Sequence, residues 1–165
     1  MKKLVLILAI MVVAFYLYQQ KQQSALDPEV IAKPTFAEIR MSLDARGRNF
    51  EQVFFAKTVD ETDCKKYSKD VVDGLQKKQA NDSAGQWVLK SSECKPELAP
   101  RYAKLFDNEP TFVTYLSMAR GDRRERETRL IYWGVSTEES DKVCDGVSKM
   151  QSGRKGGVTC VRAVR

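Results

Sequence analysis

Apolar and polar residues alternate in short runs separated by stretches with helical spacing, and this pattern predicts two successive strand–strand–helix–strand (ββαβ) units. In the first unit, period-two alternation favours strands over residues 36–45 and 52–59, joined by a turn at 46–49. A helix is predicted over 61–78 and a third strand over 86–91. The apolar stripe of that helix consists of Cys64, Tyr67, Val71 and Leu75.

The second unit repeats this order of elements. Strands are predicted over 112–119 and 128–135, a helix over 137–151 and a last strand over 158–164. The prolines in the connecting residues 95–110 interrupt regular structure. A short helix that packs across the junction of the units is expected from Tyr102, Leu105 and Phe106.

Short sequence matches support an internal duplication. The Thr-Phe pair at 35–36 recurs at 111–112, and the Ala-Arg-Gly turn at 45–47 recurs at 119–121. We therefore expect an α+β fold in which a duplicated ββαβ unit forms a mainly antiparallel sheet with two helices packed on one face. An apolar sheet face left uncovered by helices would favour protein binding.

The N-terminus has the pattern of a targeting segment. Lys2 and Lys3 precede an uncharged apolar run over 4–18, which as a helix spans about 22 Å at about 1.5 Å per residue. We find no small-x-small cleavage site after the run and favour an uncleaved signal anchor with a cytoplasmic N-terminus. The alternative is a secreted soluble protein after signal cleavage.

The predicted organisation follows from this anchor. Its parts are a cytoplasmic stub (1–3), a transmembrane anchor (4–20), a tether (21–34) and an extracytoplasmic α+β domain (35–165) with units at about 35–94 and 111–165. The short lysine start and compact size suggest a bacterial inner-membrane protein with a periplasmic domain. A sequon at 81–83 leaves a eukaryotic secretory origin open.

The four cysteines agree with export. Their even number and wide spacing predict two disulfides rather than a zinc site, which needs close pairs. The duplicated order of elements favours pairing Cys64 with Cys94 and Cys144 with Cys160, so that each bond ties a helix to the strand that follows it.

Composition excludes several chemistries. The chain of 165 residues contains no histidine, which removes histidine triads, histidine metal sites and histidine acid–base catalysis. No nucleotide, calcium or phosphate-binding motif is present. We expect no cofactor and no metal.

Two acidic clusters could in principle serve a glycan-hydrolysing enzyme. One contains Asp60, Glu61 and Asp63, and the other Glu138, Glu139 and Asp141. Both fall in the first turn of a predicted helix, where carboxylates cap the backbone and complement the helix dipole. Ser136 and Glu139 fit a capping box. The structural interpretation is favoured, and no enzymatic activity is expected.

Arginines concentrate at the two predicted hairpin tips. The candidates for binding an anion or a partner are Arg46, Arg48, Arg120, Arg123, Arg124, Arg126 and Arg129. Without Lys2, Lys3 and Lys21, the 28 cationic residues become 25 against 22 acidic ones, a net charge of +3, so the patch is local. Interleaved carboxylates favour a solvated hairpin that resists aggregation.

These features predict a non-enzymatic interaction module, a component or accessory of an envelope protein complex. The membrane is contacted through residues 4–20, and a protein partner is expected. The first alternative is a module that binds an acidic glycan or lipid through the arginine-rich hairpins. Nucleic acid is not expected, because no stacking aromatic residues lie among the arginines.

Overall fold

A computed structural model describes residues 31–45, 47–81, 86–147 and 154–164. These residues form an α+β fold with a six-stranded antiparallel sheet. The strands are β1 (Thr35–Ala45), β2 (Arg48–Thr58), β3 (Gln86–Lys95), β4 (Tyr115–Met118), β5 (Thr128–Trp133) and β6 (Val158–Val161). The helices are α1 (Glu61–Asn81), α2 (Pro100–Ala103), a 3-10 helix (Lys104–Asp107) and α3 (Thr137–Asp145).

The strand order is β3-β1-β2-β5-β4-β6, which places the three strands of each half side by side. The halves meet where β2 pairs antiparallel with β5. In that pairing Phe55 lies opposite Arg129. Counted within each half, the strands lie in the order third, first, second in the first half and second, first, third in the second half. The two orders mirror each other across the junction, as in a two-fold arrangement.

Most predicted elements are present, with changed ends. β2 begins at Arg48 rather than 52, because Gly47 adopts a φ of 74° and closes a tight hairpin. β3 extends to Lys95 and so contains Cys94. β4 is shorter than predicted, covering only Tyr115–Met118.

The other ends also differ. β5 stops at Trp133, before Gly134, which adopts a φ of 79°. A side chain at Gly134 would put its Cβ 2.9 Å from the Asn49 carbonyl oxygen, so this turn requires glycine. Helix α3 covers Thr137–Asp145, and residues 148–151 of the predicted helix lie outside the described residues. β6 ends at Val161 rather than 164.

Two disulfides fasten helices to one face of the sheet. As predicted, they join Cys64 to Cys94 and Cys144 to Cys160. Residues opposite each other in an antiparallel ladder point to the same side. The register across the six strands puts both strand cysteines on that side, which we call the helix face.

The opposite side of the sheet, the connector face, is covered by the chain between the halves. Leu98, Tyr102, Leu105 and Phe106 pack there against the centre of the sheet. The Tyr102 ring lies 4.6 Å from the Phe55 ring, centroid to centroid. The centre of this face is therefore buried rather than open to a partner.

Both long helices begin with a side-chain cap. The Asp60 carboxylate accepts from the Asp63 amide at 2.8 Å at the start of α1. At α3 the predicted capping box is confirmed: the Ser136 hydroxyl accepts from the Glu139 amide, and the Glu139 carboxylate accepts from the Ser136 amide.

The predicted anchor, residues 4–20, and residues 21–30 of the tether lie outside the described residues. Within the residues that the structure describes, no helix is both long and apolar enough to span a bilayer.

Removing either disulfide is expected to destabilise the fold. The chain-entropy model gives a loss of about 3–4 kcal/mol for either bond, larger by about 0.5 kcal/mol for the longer loop. That loop is Cys64–Cys94, with a sequence separation of 30 against 16 for the other bond. Denaturant unfolding of C64S/C94S and C144S/C160S double variants measures both losses. A larger loss for the shorter loop would contradict the entropic explanation.

Candidate interaction site

The second hairpin is fastened to the first helix by an arginine–carboxylate pair. The Arg126 guanidinium donates two hydrogen bonds to the Asp63 carboxylate, one of them at 2.9 Å. Both side chains are 17% exposed. Burial opposes ionisation of Asp63, but hydrogen bonds from Arg126 and from the Val59 amide hold its pKa below the ordinary value.

The first hairpin makes the reciprocal contact with the last helix. Arg48 donates to both oxygens of the Glu139 carboxylate, at 2.6 and 3.1 Å, and to the Gly134 carbonyl at 3.0 Å. Hydrogen bonds from Arg48 and from the Ser136 amide lower the pKa of Glu139 to about 2. Each hairpin thus binds the third residue of the helix in the other half.

The tip of the second hairpin is held by hydrogen bonds among its own residues. The Asp122 carboxylate accepts from the Arg124 and Glu125 amides and from the Arg124 guanidinium. The Arg120 guanidinium donates to the Asp122 carbonyl at 3.2 Å, and the Arg123 carbonyl accepts from Arg126 at 2.9 Å. The side chains of Arg120, Arg124 and Arg126 therefore hold the hairpin in shape, and Arg123 contributes its backbone carbonyl.

Arg129 lies in the core rather than at a surface. Its side chain is 1% exposed, on the connector face. The guanidinium donates to the Leu105 carbonyl at 2.6 Å, the Phe106 carbonyl at 3.2 Å and the Glu127 carboxylate at 2.7 Å. Arg129 therefore secures the connecting segment and is not available to bind a ligand. Arg46 lies outside the described residues.

The acidic clusters also have structural partners. Glu61 pairs with Lys65 at 2.6 Å, one turn along α1, and Asp141 of α3 pairs with Arg162 at 3.1 Å. Within the described part of the chain, no group of three potential ligands could hold a metal ion.

A slot opens where the sheet splits at the end of β5. The β4–β5 ladder ends at the Tyr115–Ile131 pair, while β5 continues to Trp133 along β2. Residues 111–114 instead follow residues 163–164: Ala163 donates its amide to the Thr114 hydroxyl and Val164 to the Thr111 carbonyl. The resulting sheet-end slot has a volume of about 760 Å³.

One side of the sheet-end slot is aromatic. Phe112 is 68% exposed and its ring lies 6.0 Å from the Trp133 ring. Trp133 lies opposite Glu51 of β2, on the connector face, where it packs against the edge of the core. Val164 nearby is 66% exposed. Large apolar side chains as exposed as these mark surfaces that bind other molecules when they cluster.

The other side of the slot is acidic. It is formed by Tyr132, which points to the helix face, and by residues of α3. Asp141 and Asp145, one helical turn apart, both pair with Arg162, at 3.1 and 3.7 Å. The exposed fractions of the three side chains are 42%, 77% and 57%, so these charges remain accessible to water.

A second exposed apolar pair lies on the edge strand β3. Val88 and Leu89 are 43% and 42% exposed. The ladder with β1 shifts register here, because Leu89 and Ser91 have partners on β1 and Lys90 has none. A bulge with a lysine protects a sheet edge from pairing with other chains, so we do not treat this edge as the site.

The sequence patterns did not identify the sheet-end slot. The alternation over 112–119 predicts Phe112 at the start of a strand. The sequence contains only a weak signal for the slot, because the Thr-Phe-Val-Thr run at 111–114 does not show where this strand separates from its neighbour.

Comparison with protein-family models, curated proteins and solved structures finds no match to this chain.

The two arginine braces are expected to differ in strength. Arg126→Ala should destabilise the fold by about 1–2 kcal/mol, because it leaves the half-buried Asp63 carboxylate without its cation. Arg48→Ala should cost less, since that arginine is 52% exposed. Denaturant unfolding measures both. Equal losses would show that burial does not set the strength of these pairs.

The Asp63 pair also predicts a pH dependence. The pKa of Asp63 is lowered in the folded state, so its contribution is fully present above the unfolded value of about 3.9. It is lost as the pH falls through the lower folded-state pKa. The stability difference between the native protein and Asp63→Asn should therefore shrink below about pH 4. A difference constant down to pH 2 would contradict this assignment.

Replacing the buried arginine should be more costly than replacing an exposed one. Arg129→Met removes the hydrogen bonds that the guanidinium donates to three carbonyls and to the Glu127 carboxylate, and we expect a loss of about 2–4 kcal/mol in unfolding free energy. Arg124→Met is the matched control, because its side chain is 78% exposed on the same hairpin. Similar stability of the two variants would refute the structural role of Arg129.

Proposed function

We propose that this chain is a membrane-anchored, extracytoplasmic, non-enzymatic module that binds a protein partner through the sheet-end slot. It would act as a component or accessory of a protein complex in the bacterial cell envelope, with a single pass through the inner membrane. The observation that carries this proposal is the exposed Phe112 ring beside Trp133 at the opening of the slot.

The proposed compartment rests on the cysteines and the N-terminal run. Two disulfides that join helices to strands suit an oxidising environment such as the periplasm. The lysine-led apolar run at residues 4–18 suits an anchor. Together they favour a folded domain held outside the membrane.

The proposal includes an internal duplication of the ββαβ unit. It is supported by the order of strands in the sheet: β3-β1-β2 lies beside β5-β4-β6, in which the equivalent strands follow in the reverse order. The equivalent disulfides and the reciprocal contacts Arg48–Glu139 and Arg126–Asp63 add to this support. A two-fold arrangement produces such reciprocal contacts, since each half meets the other through the same surface.

A binding role is favoured over catalysis by the fate of the carboxylates. Asp63 and Glu139, helix-start acids that could have acted as catalytic groups, are engaged in ion pairs with Arg126 and Arg48. Arg48 and Arg126 are engaged with these same carboxylates, and Arg129 is buried, which reduces the support for binding an acidic glycan or lipid through these three arginines. The Phe112 ring, in contrast, is 68% exposed.

Photo-crosslinking tests the proposal. A photoreactive phenylalanine analogue at position 112 of the full chain, expressed in its native cells, should give one dominant protein adduct in the membrane fraction. The matched control carries the analogue at Val59, an exposed apolar residue (52%) distant from the slot, and should not give that adduct. With the identified partner purified, Phe112→Ala should weaken binding about tenfold and Val59→Ala less than twofold.

Three results would count against the proposal. Equal adducts from both positions would mean that crosslinking reports only exposure. An unchanged affinity of Phe112→Ala for the identified partner would remove the slot from the interface. An adduct found only in the soluble fraction, on a chain that lacks its first 20 to 25 residues, would replace the anchored module with the secreted alternative.

A further inference from the structure

We infer that a basic surface at the end of the sheet where the chain enters the domain contacts the headgroups of anionic lipids, and that this contact turns the sheet-end slot away from the membrane. The surface, which we call the entry-end patch, consists of Arg123, Arg124 and Lys155. The inference rests on the anchor in the proposed function, and it adds the orientation of the domain and the side from which a partner reaches the slot.

The first step is the position of the chain entry within the sheet. Thr35, the first residue of β1, lies opposite Thr58 at the end of β2. The second hairpin reaches the same end of the sheet, because the Lys57 amide donates to the Glu127 carbonyl at 2.9 Å. Residues 154–157 lie there too, since they precede the first residue of β6 and contact the hairpin. The chain therefore enters the domain beside the second hairpin.

The second step is that the sheet-end slot lies at the opposite end. Trp133, which lines the slot, lies opposite Glu51 near the start of β2. Along β2, the distance from Glu51 to Thr58 is about 23 Å at about 3.3 Å per residue. A bilayer that touches the entry end of the sheet therefore has the slot on the far side of the domain.

The third step is the excess of cations beside the chain entry. Residues 119–127 and 154–157 together contain six arginines and lysines against three carboxylates. Among the ion pairs that reach the hairpin from other elements, Asp63 adds one carboxylate, whereas Lys57 and the buried Arg129 add two cations. These pairs therefore do not reverse the sign of the charge in the two segments.

The fourth step is that two of the carboxylates face inward while three of the cations face water. Asp122 is 3% exposed and accepts two backbone amides of the hairpin. The Glu125 side chain is 13% exposed and accepts three amides, at 2.6–2.9 Å, two of them from residues of the 154–157 segment. Arg123, Arg124 and Lys155 are exposed, and the Arg124 side chain is 78% exposed although it pairs with Asp122. The outer surface of this region is therefore basic.

The location of the entry-end patch favours a lipid surface over other anions. Guanidinium and ammonium groups bind phosphate oxygens, and anionic headgroups attract basic segments that lie within a Debye length, about 8–10 Å at physiological salt. Residues 21–34 span at most about 46 Å at about 3.3 Å per residue, so the proposed anchor keeps the patch close to the bilayer. A free phosphate or an acidic protein does not account for a basic surface beside the chain entry.

Energy transfer to labelled vesicles tests the inference with the full chain. The chain is reconstituted through its anchor into vesicles of phosphatidylcholine, with or without anionic phosphatidylglycerol, that carry an acceptor on their headgroups. The donor is attached through an unnatural amino acid, because all four cysteines are paired. It is placed at Val59, next to the end of β2, or at Phe112, at the slot; both side chains are exposed.

The two positions should differ most in anionic vesicles. There the transfer efficiency from position 59 should be at least about twofold that from position 112, because the patch holds the entry end against the headgroups. The ratio should be smaller in phosphatidylcholine alone. It should also fall at about 1 M salt, where the Debye length is about 3 Å.

Variants locate the contact. Arg123→Glu combined with Arg124→Glu and Lys155→Glu should lower the ratio in anionic vesicles to the value in phosphatidylcholine. Glutamine at the same three positions should lower it partly, and this milder change keeps the test valid if charge reversal distorts the hairpin. Circular dichroism and thermal unfolding report whether each variant is folded. The matched control makes the same change in net charge at three exposed lysines outside the two segments and should keep the ratio: Lys66→Glu, Lys69→Glu and Lys104→Glu.

Three results would overturn the inference: equal transfer from the two positions in anionic vesicles, a ratio that does not depend on lipid composition, or an equal effect of the patch and control variants. Flotation with phosphatidylcholine vesicles at about 1 M salt measures the anchor separately. If the chain floats with the vesicles and the Phe112 adduct persists while the ratio does not change, the inference fails and the proposed function stands. A chain that does not float refutes the anchored module and the inference together.

Discussion

The pairing of β2 with β5 is the contact on which the rest of the structure depends. It joins two three-stranded groups into one sheet, and it sets Phe55 of the first half opposite Arg129 of the second. Both residues face the segment that connects the halves, Phe55 through the Tyr102 ring and Arg129 through the carbonyls of Leu105 and Phe106. One strand pairing therefore organises the centre of the connector face as well as the sheet.

The same pairing explains why Arg48 and Arg126 are engaged in contacts within the fold. Bringing the halves together places each hairpin beside the start of the other half's helix, so Arg48 reaches Glu139 and Arg126 reaches Asp63. The carboxylates are also caps, so one acidic side chain stabilises both a helix end and the junction of the halves. These two hairpin arginines thus form a structural clasp rather than a binding surface.

The sheet-end slot results from two ladders of unequal length. β5 follows β2 as far as Trp133, but it leaves β4 after Ile131. Residues 111–114 follow the chain after β6 instead, held by the amides of Ala163 and Val164. Such a split leaves aromatic and acidic side chains exposed on the two sides of one opening, which is the property that the proposed binding role uses.

Much of the fold could be predicted from the sequence, because local periodicity and short connections determine elements. The alternation of Ala37, Ile39, Met41 and Leu43, the Ser136–Glu139 capping box and the cysteine pairing were all accessible in this way. The burial of Arg129 and the opening beside Phe112 were not. Both depend on which strands lie next to each other and where they separate, and those contacts join residues far apart in the chain. Sequence by itself determined the elements and their covalent links; the tertiary structure alone decided which charges are consumed in the core and which apolar groups stay exposed.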